Sequence, residues 1–95
     1  MPKPEVLSSE EIMAALVDTP GWAVVDGALR RTYVFENFSA AFGFMARVAL
    51  IAEKLDHHPD WSNSWNKVEI AIASHDAGGL TARCFEFAKR VNQLA

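Results

Sequence analysis

Residues 37–56, NFSAAFGFMARVALIAEKLD, carry the strongest secondary-structure signal in the chain, and the rest of the fold is arranged around them. At about 100° per residue, the apolar side chains of this segment span close to half of a helix circumference, from Ile51 and Phe44 round to Phe42. Arg47 lies on the opposite face. A helix that packs on one sheet needs only a narrower apolar stripe than this. The segment therefore predicts a helix that is either deeply buried or in contact with another subunit.

A first helix is predicted upstream, in SSEEIMAALVDTPG at residues 8–21. Its start carries a capping box, in which Ser8 caps the helix and Glu11 reaches back to the cap residue. The Pro20-Gly21 pair is typical of a helix end.

A β-hairpin is predicted between the two helices, in GWAVVDGALRRTYVFE at residues 21–36. The Asp26-Gly27 pair separates a short apolar run from an alternating run, which is a hairpin signal. One face of the second strand is predicted to carry Leu29, Arg31, Tyr33 and Phe35, and Trp22 is predicted to lie in the core.

The segment after the long helix, HHPDWSNSW at residues 57–65, is predicted to be a loop because it is rich in proline, aspartate, serine and asparagine. The next segment, NKVEIAIASH, is a clean strand in which Val68, Ile70 and Ile72 alternate with smaller or polar residues. The DAGG sequence then breaks it.

A last helix is predicted in LTARCFEFAKRVNQLA, from residue 80 to the end. One stripe of this helix is formed by Leu80, Cys84, Phe87, Val91 and Leu94. Phe85 falls off the stripe and is predicted to be exposed or to lie in an interface. The element order favours an α+β fold, with an antiparallel sheet and the helices packed on one face.

The bulk composition predicts a single domain covering residues 1–95, with residues 1–5 as a flexible tail. The net charge of −3, with acids and bases interspersed, argues against nucleic-acid binding. One cysteine excludes an internal disulfide and favours a cytoplasmic protein. The MPKPEV start lacks an apolar leader, and no apolar run reaches membrane-spanning length, so no membrane association is expected.

Three histidines are the candidates for chemistry, and three interpretations of them remain open. His57 and His58 follow the long helix, and His75 follows a strand. The first interpretation is that they are surface or half-buried histidines with ordinary hydrogen bonds, which is the usual case for any single one. A three-histidine metal site is disfavoured because adjacent loop residues rarely direct both rings at one ion. Acid–base chemistry is the third interpretation, because imidazoles titrate near neutral pH.

Acidic and aromatic residues around the histidine pair fit the acid–base interpretation. Glu53 lies one turn before His57, and Asp56 adjoins it, so either carboxylate is placed to orient a ring or raise its pKa. Acids at a helix C-terminus oppose the helix dipole, which favours a functional reason for them. Trp61 and Trp65 are suited to stack on a flat heterocycle, although a core position is at least as good an interpretation for Trp65.

The sequence EKLDHHPDW, followed by NKVEIAIASHDAGGLT, closely resembles the pterin-4a-carbinolamine dehydratase family. The GW pair, the L-x-R-x-Y-x-F strand and the apolar helix match as well, so the resemblance runs from about residue 6 to the end. The motif positions that match at the expected spacing are Glu53, His57, His58, Pro59, Trp65 and His75.

The resemblance implies a fold, an activity and partners. The implied fold is α+β, with a four-stranded antiparallel sheet and three helices on one face. Its implied activity is dehydration of 4a-hydroxytetrahydropterin to quinonoid dihydropterin, with no metal or cofactor of its own. This reaction recycles the cofactor of aromatic amino-acid hydroxylases, which makes such a hydroxylase a possible metabolic partner. A homodimer or homotetramer is implied as well.

The resemblance also implies roles for individual residues. His57 and His75 become the proton-transfer pair, and His58 binds or assists. The implied substrate-binding residues, including backbone groups around the second histidine segment, are Glu53, Asp56, Pro59, Trp61, Ser74, Asp76 and Ala77.

One position departs from the family pattern, because Cys84 stands where the family has an aspartate. If Thr81 caps the last helix, residue 84 is the N3 position, where an acid completes a capping box. The lost aspartate is thus interpreted as a cap, a histidine orienter or both. Cys84 itself is interpreted as packing, with a weak acid near His75 as the alternative.

Two other functions remain open from the sequence. Some relatives serve as dimerisation cofactors of a homeodomain transcription factor, so a catalytically weakened interaction module of the same fold is the alternative to the enzyme. A metal-dependent hydrolase is the third possibility, and stoichiometric zinc in untagged protein is the observation that favours it.

Overall fold

A computed structural model describes residues 5–95 of the chain. The predicted tail falls mostly on residues 1–4, which lie outside the described residues, and Glu5 is exposed and outside regular secondary structure. The elements in chain order are α1 (Ser9–Leu16), β1 (Ala23–Val25), β2 (Ala28–Val34), α2 (Phe38–Leu55), β3 (Asp60–Ser64), β4 (Lys67–Ile72) and α3 (Ala82–Leu94). This is the α+β fold that the sequence predicted.

The capping box of α1 is present as predicted. Ser8 Oγ accepts from the Glu11 N–H at 3.1 Å, and Glu11 Oε1 accepts from the Ser8 N–H at 2.8 Å. Both bonds satisfy N–H groups that have no partner within the helix. These bonds lower the pKa of Glu11, because they favour its charged form.

The β1–β2 hairpin turns at the Asp26-Gly27 pair, as predicted. Both residues have positive φ, 52° and 76°, which a two-residue turn of this kind requires. Val25 pairs with Ala28 across the turn. On β2, Leu29 and Tyr33 are buried while the alternate residues are exposed, which confirms the predicted alternation.

The long helix α2 begins at an Asn37 cap, whose Oδ1 accepts from the Ala40 N–H at 2.8 Å. One face is buried in the core and carries Ala41, Phe44, Val48 and Ala52. Met45, Ile51 and Leu55 are partly buried against the core. Phe38, Phe42 and Leu50, also apolar, are exposed in this single chain. The helix is therefore buried on one side only, and the deeply buried alternative is wrong.

The prediction of a loop over residues 57–65 is wrong in its second half, because Asp60–Ser64 form β3. This strand pairs antiparallel with β4 and is an edge of the sheet, whose order is β1-β2-β4-β3. Trp61 and Asn63 are half-buried, and the alternate residues Asp60, Ser62 and Ser64 are exposed. The sheet face opposite the helices is open to solvent and tolerates polar residues, and polar side chains are also common on an exposed edge strand. Its composition consequently looked like that of a loop.

The neighbouring strand β4 lies at the centre of the sheet and was predicted correctly. Val68, Ile70 and Ile72 point to the helices and are buried. Together with Leu29 and Tyr33 of β2 they form one core cluster with residues of α2 and α3. Apolar residues of α1 are partly buried against the same cluster, so the helices cover one face of the sheet.

The last helix begins after Thr81, as predicted, but Thr81 makes no side-chain cap hydrogen bond. The prediction for Phe85 is wrong: its side chain is only 5% exposed. The reason is that α3 is covered on a second side by the N-terminal segment. Leu7 and Ala15 line one groove together with Phe85, and the Leu7 N–H donates to the Leu80 carbonyl.

None of the helices found in residues 5–95 combines the length and apolarity that a bilayer crossing needs.

Candidate active site

The end of α2 positions the first histidine segment. Asp56 takes a left-handed conformation with φ 50° and ψ 47°, and the His57 N–H donates back to the Ala52 carbonyl at 3.0 Å. This closing turn stops the helix and directs the chain toward β3. His57 is thereby held half-buried, while His58 is exposed.

The turn between β4 and α3 positions the second segment. Ser74 pairs with Gly79 in an isolated antiparallel bridge, and the Ser74 carbonyl accepts from the N–H groups of residues 77 and 78. Gly78 has φ 79°, which favours glycine. The tight turn leaves His75 and Asp76 exposed next to a buried Ser74.

The histidine that Cys84 contacts is His57, whereas the sequence had suggested a position near His75 as the alternative to packing. The Cys84 Sγ is 3.3 Å from Nε2 of His57 and 3.4 Å from Oγ of Ser74. The sulfur is fully buried, on the core side of α3, as the packing interpretation predicted. Thr81 completes the group, with its Oγ1 2.7 Å from Oγ of Ser74 and 3.8 Å from the sulfur.

Each of the other two histidines lies near a carboxylate. Glu53 Oε2 is 3.7 Å from Nε2 of His58, so Glu53 faces His58 rather than His57. Asp60 Oδ2 is 3.5 Å from Nε2 of His75. Both pairs are exposed and therefore contribute little to stability.

The ring of His57 has a lowered pKa. Burial is the main cause, since it penalises the charged form. The charges of Arg83, His58 and His75 lower the pKa further, and Asp76 opposes them. These groups come from the end of α2, the turn after β4 and the start of α3. The fold has thus brought both histidine segments close enough for their charges to interact.

A broad, open cavity of about 720 Å³ lies along the solvent-facing side of the sheet and reaches this turn. Its lining includes Asp60, Trp61, Ser74 and His75. Among the three histidines, His75 is the one that lines this cavity. The cavity is too open to identify a ligand by shape alone.

The remaining predicted site residues take three kinds of position. Pro59, Trp61 and Ala77 are half-buried, and Asp56 is exposed at the helix end. Trp65 is 65% exposed in the left-handed turn between β3 and β4, with φ 51°, so the core interpretation for it is wrong. Within residues 5–95, no group of three or more histidine, cysteine, aspartate or glutamate side chains is arranged to hold a metal ion.

Sequence reasoning missed three members of this site, namely Asp60, Thr81 as a partner of Ser74, and Arg83. Asp60 had one usable signal. Once β3 is recognised, Asp60 pairs with Ala71, which lies one residue before the end of β4 and four positions before His75. No sequence signal marked Thr81 or Arg83 as members of the site.

The chain matches the family described as pterin 4 alpha carbinolamine dehydratase over residues 5–94. A relative from Afipia carboxidovorans, named "Putative pterin-4-alpha-carbinolamine dehydratase", is 54% identical over 93 residues, covering 96% of this chain and 93% of the relative. A relative of the same name from Rhodopseudomonas palustris is 53% identical over 91 residues, covering 94% and 90%.

Among solved structures, a crystal structure from Brucella melitensis described as a transcriptional coactivator/pterin dehydratase is similar to this chain. Its TM-score is 0.92 at 43% identity, and the match covers 96% of this chain and 99% of that chain.

Proposed function

The chain belongs to the pterin 4 alpha carbinolamine dehydratase family, and from this premise we propose that it dehydrates 4a-hydroxytetrahydropterin to quinonoid dihydropterin. One observation supports the chemistry above all. Two histidine segments separated in sequence, at His57 and His75, lie within range of each other's charge at the start of α3. Such a pair can hold one proton and one vacancy near neutral pH.

The reaction needs little more than two proton transfers. A carbinolamine tends to lose water because the lone pair of the neighbouring nitrogen expels the hydroxyl. The protein has to remove the N5 proton and protonate the departing hydroxyl, and positioned acid–base groups accelerate such steps about 10²- to 10⁴-fold. His57 and His75 are the proposed pair for these transfers, and His58 assists. No metal or bound cofactor is required for either step.

The proposed binding residues surround this pair. Glu53 and Asp56 at the end of α2, and the turn residues Ser74, Asp76 and Ala77, provide polar groups for the edge of the pterin. Pro59 and Trp61 provide apolar surface on the other side. Trp61 is half-buried beside the ring-bearing segments, which suits stacking on a flat bicyclic ring.

The test is a stopped-flow measurement of the loss of 4a-hydroxytetrahydropterin. His57→Ala and His75→Ala should each reduce the catalysed rate by about 100-fold or more, with unchanged circular dichroism. Glu86→Gln is the matched control, because Glu86 is an exposed residue of α3 that pairs with Arg90 at 3.1 Å. If both histidine variants turn over at the wild-type rate, the proposed catalytic pair is wrong.

A second candidate function has its own support, which is an interaction module of the same fold. The Brucella neighbour is described as a coactivator as well as a dehydratase, and α2 exposes Phe38, Phe42 and Leu50. The two functions differ in turnover. A folded protein that binds pterin or a partner but shows no dehydration would favour the interaction module.

The same exposed face supports a homodimer or homotetramer. Phe38 and Phe42 pack on each other with ring centroids 5.8 Å apart and are 49% and 59% exposed. Contiguous exposed apolar residues of this kind mark association surfaces. Phe42→Glu should lower the mass measured by sedimentation equilibrium, and an unchanged mass would exclude this face from the assembly.

We also place the reaction in the cytoplasm, where an aromatic amino-acid hydroxylase would be the metabolic partner that supplies the substrate. This placement rests on the single cysteine, Cys84.

A further inference from the structure

The environment of Cys84 is a buried hydrogen-bonded cluster that ends at a histidine. Ser74, Thr81 and Cys84 are 3%, 2% and 0% exposed. Their oxygen and sulfur atoms are in mutual contact, and the sulfur alone contacts the imidazole of His57, at Nε2. We propose that Cys84 is a positioning residue, whose thiol donates to Nε2 of His57 and thereby holds the ring proton on Nδ1.

The direction of the hydrogen bonds follows from counting protons. The cluster has three short contacts, 2.7 Å from Thr81 to Ser74, 3.4 Å from Ser74 to Cys84 and 3.3 Å from Cys84 to His57. If each group donates to the next in that order, every buried proton has an acceptor. In the opposite order the Thr81 hydroxyl has, among the described residues, only the 3.8 Å contact to the sulfur. A buried donor without a good acceptor is costly, so the first order is preferred.

The other ring nitrogen, Nδ1, is open. It has no hydrogen bond to any described residue, and residues 5–95 contain no buried side-chain nitrogen or oxygen that lacks a partner. Nδ1 is therefore accessible to solvent or ligand. Fixing the proton on this atom makes His57 a hydrogen-bond donor toward whatever binds there.

Because His57 is neutral near pH 7, its tautomer decides which ring nitrogen carries the proton. Burial lowers its pKa below the ordinary 6.5, so the ring carries one proton at neutral pH. Arg83 from α3 and the other two histidines act in the same direction, while Asp76 acts against it. A neutral ring can present either a proton or a lone pair at Nδ1. The partner at Nε2 selects between them.

The catalytic consequence rests on the proposed function. A neutral His57 ring that presents its proton at Nδ1 donates a hydrogen bond to the departing hydroxyl of the carbinolamine and keeps that proton. His75, which lies beside the Asp60 carboxylate, accepts the N5 proton and returns it to the departing hydroxyl, so that water leaves and both rings end neutral. The cluster thus assigns the two histidines different roles in the reaction.

The first test reads the tautomer directly, by long-range ¹H–¹⁵N NMR correlation on histidine-labelled protein at about pH 7.5, above the ordinary histidine pKa. Wild type and Cys84→Ser should both show the Nδ1–H form of His57, because a hydroxyl can replace the thiol as donor. Cys84→Ala should lose that preference. An Nε2–H form in wild type, or an unchanged tautomer in Cys84→Ala, overturns the proposal.

The second test separates positioning from packing by steady-state kinetics. Cys84→Ala should lower kcat about tenfold with KM little changed, and Cys84→Ser should retain most of the activity. Equal loss in both variants would indicate packing alone and overturn the proposal.

Cys84→Asp should move the acid limb of the kcat profile to higher pH, since a carboxylate raises the pKa of a neighbouring imidazole.

The two tests fail independently. The tautomer needs no turnover to be measured, so wild type with the Nδ1–H form and no dehydration would contradict the proposed function and leave the positioning role of Cys84 standing. Normal dehydration with the Nε2–H form of His57 would contradict the positioning role of Cys84 and leave the proposed function standing.

Discussion

The two ends of α3 carry polar clusters of opposite character. At its start, Cys84 joins two hydroxyl groups to the ring of His57. Near its end, Oδ1 of Asn92 accepts from Trp22 Nε1 at 2.9 Å, from Arg31 Nη1 at 2.8 Å and from the Tyr33 hydroxyl. The Asn92 amide also donates to the Pro20 carbonyl at 3.0 Å.

The difference between the two clusters is whether a proton can move near neutral pH. The Asn92 cluster contains a guanidinium and a phenol, and burial raises the pKa of Tyr33 further from neutrality. Its hydrogen bonds are thus the same at every physiological pH, and it ties β2 and the loop before β1 to α3. The Cys84 cluster ends at an imidazole whose pKa is lowered and whose second nitrogen is open. A buried polar cluster without a group that titrates near neutral pH therefore indicates a structural role. A cluster that ends at an accessible titratable group is a candidate for acid–base catalysis.

The largest expected effect on stability comes from Asn92→Ala. Removing one oxygen takes the acceptor from Trp22 and Tyr33, whereas Arg31 keeps a second acceptor in the Pro20 carbonyl at 2.7 Å. We expect the free energy of unfolding to fall by about 2–3 kcal/mol. Urea denaturation measures this, with Asn92→Asp as the control that keeps the accepting oxygen. The kcat of the folded variant should match wild type. A loss of stability below about 0.5 kcal/mol, or a large change in kcat, would break the distinction between the clusters.

A smaller effect is expected for Tyr33→Phe. The change removes one donor to Asn92 and keeps the ring, which packs against Phe44 with centroids 4.8 Å apart and lies beneath Arg31 at 4.3 Å. We expect a loss of about 1 kcal/mol in urea denaturation, the net value of one hydrogen bond. In the Asn92→Ala background the same change should cost less, because its acceptor is already gone. An equal cost in both backgrounds would show that the bond to Asn92 contributes nothing.

The smallest expected effect is the pH dependence that His57 gives to stability. Its folded-state pKa lies below the ordinary 6.5, so above that pH both states are neutral and the stabilisation is fully present. As the pH falls through 6.5, the unfolded chain binds a proton first, and the free energy of unfolding decreases. His57→Gln should remove this part of the decrease in urea titrations between about pH 7 and pH 5. An unchanged profile would mean that the folded ring titrates normally.

Much of the fold could be predicted because its signals are local. The capping box of Ser8 and Glu11, the Asp26-Gly27 turn and the alternation of β4 each involve residues a few positions apart. β3 was missed because, unlike β4, this edge strand is polar at four of its five positions, and these residues outweighed the half-buried Trp61 in the pattern. Phe85 was misassigned because a single helical stripe cannot show that a second segment covers the helix.

For the candidate site, the sequence proposed residues, and the structure supplied the contacts among them. His57, His58, Glu53 and Cys84 were all singled out, yet Glu53 faces His58, and Cys84 faces His57. Proximity in sequence gave the wrong partner for Glu53, because the left-handed residue Asp56 turns the chain away from the helix axis. A contact across 27 residues, such as that between His57 and Cys84, depends on how two helix ends are packed.

Local sequence patterns were enough to place the helices and most strands and to reveal the family that the chain resembles. These properties depend on residue type and on near neighbours, and a single chain displays both. Only the tertiary structure decided which polar atom meets which, at Asn92 as at Cys84. Partners brought together across 27 to 72 residues are set by sheet register and helix packing, which the whole core determines collectively and no local pattern records.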